Sequence, residues 1–321
     1  PHPWTPPGLS AAPTPPVAPP AGTGPRIVVS SAGRIRIFTA ATHALRRVLA
    51  PFGASYTGPI SLSMGDVNHD GVADIAAGEG AGGSTVKVLN GKTGAAIATY
   101  NPFPASMHGV SVALGDVNGD GRADLVVGSG AGTTAQVKVY DGRTRALLET
   151  LTPFGPGFKG GVTVAAGDLN GDGKADVVIG SGPGVKAQVV AFNGATATRL
   201  ETLSPFSASF TGGVSVGVGD LNGDGKADVI AGTGSGTAAV ARAFSGATGK
   251  RLLSFAPYGA LFTGGVSVAG GDVTGDRAAE IVTGQGPGGG AQVSVFDGRT
   301  GALVSTFLGA TGSGGIPVAA G

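Results

Sequence analysis

Residues 65–74 read Gly-Asp-Val-Asn-His-Asp-Gly-Val-Ala-Asp, and close copies of this string return at 115–124, 167–176 and 219–228. A worn copy, Gly-Asp-Val-Thr-Gly-Asp-Arg-Ala-Ala-Glu, stands at 271–280. The spacings are 50, 52, 52 and 52 residues. A fixed period of this length marks a repeat architecture, in which one supersecondary unit recurs and neighbouring units bury each other's apolar faces. Other signals keep the same beat. Pro-Phe or Pro-Tyr pairs begin at Pro51, Pro102, Pro153, Pro205 and Pro257, and turn dipeptides begin at Asn90, Asp141, Asn193, Ser245 and Asp297.

Within a repeat the pattern is that of four short strands. In the third complete copy these are predicted at 161–166, 175–181, 187–192 and 199–203. The dipeptide Asn193-Gly194 between the last two suits a tight hairpin in which both central residues take positive φ. No stretch sustains a 3.6-residue apolar period, so helices are not expected. Four antiparallel strands in about 50 residues make a propeller blade. Complete repeats start near Pro59, Val110, Gly161, Gly213 and Gly265. Before them, 26–31, 34–38 and 44–49 resemble a blade that lacks its first strand, and 315–321 resembles a first strand alone. Joining the two closes a six-bladed ring and removes the exposed edges that invite aggregation. The expected fold is therefore all-β, a six-bladed propeller over 25–321.

Composition supports this reading. The chain has 321 residues, of which 62 are Gly, while 41% are hydrophobic, too many for a disordered chain. Residues 1–24 hold nine of the 21 prolines and read as a Pro-rich tail or linker. No segment approaches the ~18 apolar residues of a membrane span, so insertion is not expected. The absence of Cys rules out disulfides and thiolate metal sites.

The repeated string places oxygen-bearing side chains at loop positions 1, 3, 5 and 9, a Gly at 6 where the chain must turn sharply, and a backbone carbonyl at 7. In order, the candidate ligands are Asp66, Asn68, Asp70, Val72 and Asp74; Asp116, Asn118, Asp120, Arg122 and Asp124; Asp168, Asn170, Asp172, Lys174 and Asp176; Asp220, Asn222, Asp224, Lys226 and Asp228; and Asp272, Thr274, Asp276, Ala278 and Glu280. Such a set suits a hard cation that takes ~6–8 oxygens, and calcium more than magnesium, which prefers to keep its waters. Three carboxylates in nine residues would otherwise repel one another. Turn propensity alone would scatter acids, yet the five loops hold three each, 15 of the chain's 20 Asp and Glu residues. Four strong calcium sites are expected. The fifth should be weaker, since Arg277 replaces the turn Gly, Thr274 replaces the amide and Glu280 is a methylene longer.

The loop, its period and the Phe…Gly-Gly spacing resemble FG-GAP (VCBS-type) repeats, as found in the propeller of integrin α-subunits and in related bacterial proteins. The resemblance covers nearly all of 25–321 and implies structural calcium and a role in adhesion or partner recognition. Integrin propellers have seven blades rather than six, so their ligand geometry does not carry over.

Catalysis has little to work with. His2, His43, His69 and His108 show no ligand spacing, and the acids outside the loops are only Glu79, Asp141, Glu149, Glu201 and Asp297. His69, at loop position 4, is expected to face solvent. The Gly-rich runs at 78–83, 180–184 and 284–290 lie between two strands rather than before a helix, which excludes a dinucleotide site. The expectation is a secreted, monomeric recognition module, not an enzyme, with a protein or polysaccharide partner. A lectin-like propeller accessory to a secreted enzyme is the alternative. Nucleic-acid binding is not expected. Five calcium ions would raise the net charge from +1 to +11, favouring anionic partners. The face away from the loops, with Phe158, Phe210 and Phe262, is the expected docking side.

Overall fold

The computed structural model describes residues 24–80, 82–104 and 108–321. The Pro-rich tail, apart from Gly24, lies outside the described residues. These contain no helix, and the strands form six four-stranded antiparallel sheets. Five sheets use consecutive strands; the sixth joins Val318–Ala320 to Arg26–Ser31, Arg34–Thr39 and Leu45–Leu49. Ala320, Ala319 and Val318 pair antiparallel with Ile27, Val28 and Val29, so the last strand completes the first blade.

In the repeat read most closely, the strands are Val162–Gly167, Asp176–Ser181, Val189–Phe192 and Arg199–Leu203. The third starts two residues later than expected, because the Ala187 N–H donates to the Phe210 carbonyl of the following interblade segment. The first strands of successive blades pack side by side around the axis, and Val318–Ala320 closes against Ile60–Gly65. The core is divided accordingly. Six apolar clusters each lie between neighbouring sheets, such as Val137, Val139 and Leu151 against Val162, Val164 and Ile179.

The innermost strands are edges, with backbone groups facing the channel that no further strand can pair. A ring of hydroxyls answers them. Ser61 Oγ accepts the Val112 N–H at 3.0 Å, Ser111 that of Val164 at 3.1 Å, Ser215 that of Val268 at 3.2 Å and Ser267 that of Val318 at 3.3 Å. Thr163 instead donates to the Val214 carbonyl at 2.6 Å. The channel mouth between them is a cavity of about 540 Å³.

Two expectations are corrected. Gly194 does not take positive φ; Ala197 does, at 55°, as do Gly94, Arg145, Gly249 and Gly301 at the matching position. The hairpin is a four-residue turn closed by the Ala197 N–H on the Asn193 carbonyl, with a bulge between Ala191 and Phe192. The recurring aromatics are not a displayed surface either. Phe158 is 9% exposed and sits edge-on to Phe154 at 5.3 Å. Phe210 and Phe262 are half-buried against Phe206 and Tyr258.

Removing residues 315–321 should destabilise the fold by about 3 kcal/mol or more. Ile316 and Val318 are 1% and 5% exposed, and burying such a side chain contributes about 1.5–3 kcal/mol. Urea unfolding of the truncated chain measures this, and a loss below ~1 kcal/mol would show the closing strand to be dispensable.

Candidate metal loops

Each loop joins the first strand of a blade to the second and is shaped by its own acidic side chains. In the second copy Asp116 Oδ1 accepts the N–H groups of Gly119 and Asp120 at 2.7 and 3.0 Å, and Oδ2 that of Gly121 at 2.8 Å. Asn118 Oδ1 accepts the Asp120 N–H at 2.8 Å, and Asp120 Oδ1 the Arg122 N–H at 3.0 Å. Local bonds of this kind are what Asp and Asn make in turns. The turn Gly at position 6 is left-handed throughout, with φ of 78°, 83°, 82° and 83° at Gly71, Gly121, Gly173 and Gly225. Arg277 is forced into the same region, at φ 74°, which costs a side-chain-bearing residue about 1–2 kcal/mol.

Position 9 behaves differently. Asp74, Asp124, Asp176 and Asp228 are 0% exposed and Glu280 is 2%. One carboxylate oxygen turns back into the loop: Asp124 Oδ2 accepts the Val117 and Asn118 N–H groups at 2.9 and 3.0 Å. The other reaches the hairpin between the third and fourth strands, accepting the N–H of Gly91 at 2.8 Å, Gly142 at 2.9 Å, Gly194 at 3.1 Å and Gly246 at 3.1 Å. Glu280 instead takes the Thr274 hydroxyl at 3.1 Å alongside the Val273 and Thr274 N–H groups.

These hairpin glycines are the functional residues that the sequence reading missed. A Cβ at Gly91, Gly194 or Gly298 would lie 2.0 Å from the carbonyl oxygen of Ala73, Ala175 or Ala279, the residue before the buried acid. Gly is required there for close approach, not for positive φ. The signal was present, since the turn dipeptides share the period of the loops. Side chains add to the join: Asn90 Nδ2 donates to Asp70 at 3.4 Å, and Asn193 Nδ2 to Asp172 at 3.2 Å.

Neighbouring loops are stapled to one another. The position-8 N–H groups of Ala123, Ala175, Ala227 and Ala279 donate to the carbonyls of Asp66, Asp116, Asp168 and Asp220 at 3.0, 2.7, 2.7 and 2.9 Å. In the composite blade the first and second strands are not consecutive in sequence, so no such loop joins them, and Arg26 fills the place, donating to the carbonyls of Gly91 and Ala73 at 3.1 and 3.0 Å. His69 is exposed, as expected, but its Nδ1 lies 2.8 Å from the Gly121 carbonyl of the next loop.

Burial pushes the Asp124 carboxyl up to about 6 and raises Asp74, Asp176, Asp228 and Glu280 as well. At the rim, Asp172 is held below the ordinary carboxylate range, chiefly by the Asn170 amide. Among the described residues no three acidic or imidazole side chains converge as a ready-made metal cage. The donor set nonetheless fits a hard cation chemically. Each loop offers three carboxylates and an amide or hydroxyl oxygen around a left-handed turn, with no nitrogen or sulfur ligand.

Residues 66–127 and 168–231 match the FG-GAP-like repeat family, so these two segments carry FG-GAP-like repeats. No curated protein matches the sequence. Among solved structures, a chain of the "Crystal Structure of Mitotic Checkpoint Complex" is similar over 88% of this chain and 74% of its own, at 15% identity and a TM-score of 0.53. The rhamnogalacturonan lyase YesW is similar over 94% and 69%, at 17% identity and 0.46. A rhamnogalacturonan lyase of Bacillus licheniformis is similar over 92% and 68%, at 16% and 0.48. Identities this low speak of the fold alone.

Gly194→Ala should cost about 3 kcal/mol, combining overpacking with loss of the hairpin bond. Chemical denaturation measures it, and a loss below ~0.5 kcal/mol would show the hairpin to be free of the loop. The raised carboxyls also set a pH dependence in chelator. The folded chain keeps a proton on Asp124 between its ordinary value of 3.8 and about 6, where the unfolded chain has lost it. Stability must then fall as pH rises through that window. The lowered rim acids titrate beneath it and do not cancel the trend. A rise in melting temperature across the window would contradict it.

Proposed function

We propose that this chain, a six-bladed propeller carrying FG-GAP-like repeats, is a calcium-stabilised recognition scaffold. It works outside the cell, holding a protein or other cell-surface partner. The observation that supports this reading most is one loop built five times at one end of the ring, each copy carrying three acids within nine residues that include the same left-handed turn. Turn formation needs at most one or two of those acids. A divalent cation makes sense of all three, because it removes their mutual repulsion at the point where the first two strands and the hairpin meet.

The residues that would hold the ion are those at positions 1, 3, 5 and 9, with the carbonyl at 7: in the third loop Asp168, Asn170, Asp172, Asp176 and the backbone of Lys174. The ion supplies charge neutralisation and cross-linking, not chemistry on a substrate. Solvent-facing loops suit the modest affinities that extracellular calcium saturates, which motivates the placement outside the cell.

A binding role is favoured over a catalytic one by what the other acids do. Asp141 accepts the Arg143 and Thr144 N–H groups of its own hairpin, Asp297 those of Arg299 and Thr300, and Glu79 the Thr85 N–H. All three serve turns. The channel mouth is lined by hydroxyls, glycines and aliphatic side chains without an ionisable group.

Calcium should raise the melting temperature and chelator should lower it, since a ligand of the folded state alone stabilises by mass action. An unchanged midpoint would sink the proposal. In calorimetric titration four sites should outrank a fifth, and Arg277→Gly should strengthen that weakest site about fivefold by removing a positive charge beside the ion. Five equal sites in the parent chain would count against the assignment.

A further inference from the structure

Each blade ends in an outer strand with no further strand beyond it among the described residues, so its outward backbone groups can pair with any chain that reaches them. Five of the six outer strands are guarded. Leu45–Leu49 carries Arg46 and Arg47, Leu147–Leu151 carries Glu149, Arg199–Leu203 carries Arg199 and Glu201, and Arg251–Phe255 carries Arg251. Ala96–Tyr100 has no charge of its own, but Arg145 of the next blade donates to its Ile97 carbonyl at 2.8 Å. Charges in these places keep sheet edges apart, since pairing would strip them of water.

Leu303–Leu308, the outer strand of the last complete blade, is built the other way. It has six residues where the other five outer strands have five each, and no charged side chain occurs from Thr300 to Gly321. Leu303, Val304 and Leu308 are 58%, 50% and 69% exposed. Side chains alternate across a strand. Ser305 and Phe307 turn toward the composite blade, where Ser305 Oγ lies 3.2 Å from His43 Nε2 and the Phe307 ring stacks on that of His43 at 4.4 Å. Val304, Thr306 and Leu308 form the other row, exposed throughout. Its one polar side chain is satisfied within its own sheet. The Thr306 hydroxyl donates to the Val293 carbonyl at 3.1 Å and accepts from Gln292 Nε2 at 2.9 Å.

We propose that Leu303–Leu308 is a dimer interface, at which two copies of this chain join antiparallel into one continuous sheet. The strand's own sequence selects a second copy as the occupant. In a symmetric pair the two-fold axis stands normal to the sheet, one residue faces itself, and opposed side chains share a face. With Thr306 on the axis, Val304 of each copy stands opposite Leu308 of the other. The exposed row thus meets its own reverse with apolar side chains matched at both ends, and no charge is buried or brought against its like. A partner strand bearing a charge in this row would have to give up that charge's water. The inference reverses the expectation of a monomer. It is independent of the calcium reading, because the loops join the two inner strands of a blade and this edge is the outermost.

The test is sedimentation of the full chain in calcium over a range of concentrations. The expected result is a reversible step from one chain of 30.8 kDa to two, with nothing larger, since a two-fold contact uses up the edge. Val304→Lys combined with Leu308→Lys puts like charges face to face and should raise the dimer dissociation constant at least about tenfold. Val304→Lys combined with Leu308→Glu sets opposite charges at the same points and should recover most of that loss. Leu147→Lys combined with Leu148→Lys, on another outer strand, should leave the dimer unchanged. Thermal melts of each variant separate loss of fold from loss of pairing. A chain that stays monomeric at every concentration, or a dimer indifferent to the double lysine change at 304 and 308, overturns the inference. A lysine–glutamate variant that recovers nothing overturns the register about Thr306. A dimer lost instead with the Leu147 and Leu148 changes places the contact on another edge and overturns this one. A dimer whose melting ignores calcium leaves this inference standing and removes the calcium reading.

Discussion

Five of the six blades of this propeller are arranged around a carboxylate that has left water without forming an ion pair. Asp74, Asp124, Asp176 and Asp228 are shielded from solvent, yet each accepts N–H groups from two directions, the loop before it and the hairpin beside it. Taking such a group out of water costs several kcal/mol. Hydrogen bonds to a charged acceptor return about 1.5–3 kcal/mol each, so two or three of them are needed to hold it there. That need dictates the rest of the local design. The loop must curl so that positions 2 and 3 point inward, which takes the left-handed turn at position 6. The hairpin must come close enough to bond, which takes a residue without a side chain.

Neighbouring units inherit this order. The residue before the buried acid donates its N–H to the first carbonyl of the preceding loop, so one blade's clamp sets the next blade's position. On the channel side the serines do the same between inner strands. The interblade cores are apolar and non-directional, and could tolerate a small rotation of one sheet against the next. These two polar rings, one near the loops and one along the channel, remove that freedom. The structure thereby combines a plain aliphatic core with precise angular spacing.

The same arrangement separates two roles among the acids of a loop. The ninth carboxylate is buried and pushed up, while at the rim Asp172 is held below the ordinary carboxylate range, chiefly by the Asn170 amide. A rim of carboxylate and amide oxygens over a hydrogen-bonded base is what a hard cation would meet on arrival.

The amino-acid sequence by itself determined the period, the strand count, the blade number and the way the ring closes. These follow from local pattern: turn residues at set offsets, alternating apolar positions and a leftover strand at each end. It also determined which oxygens each loop could offer, because loop ligands sit within nine consecutive residues. Tertiary structure alone decided what depends on contacts 17 to 65 residues apart. That the hairpin Gly serves an acid 18 residues earlier in the chain, that inner-strand serines serve the next blade, and that Arg26 stands in for a missing loop could not be read from spacing. The mistaken turn type has the same origin. Asn-Gly is compatible both with a tight left-handed hairpin and with a longer turn, and the choice fell to the Ala175 carbonyl, which leaves room for nothing larger than Gly194. The aromatics were misplaced for a related reason, since periodicity says which residues recur but not which neighbour covers them. Phe158 recurs like a surface feature and is covered by Phe154, because the interblade segment folds back over its own start.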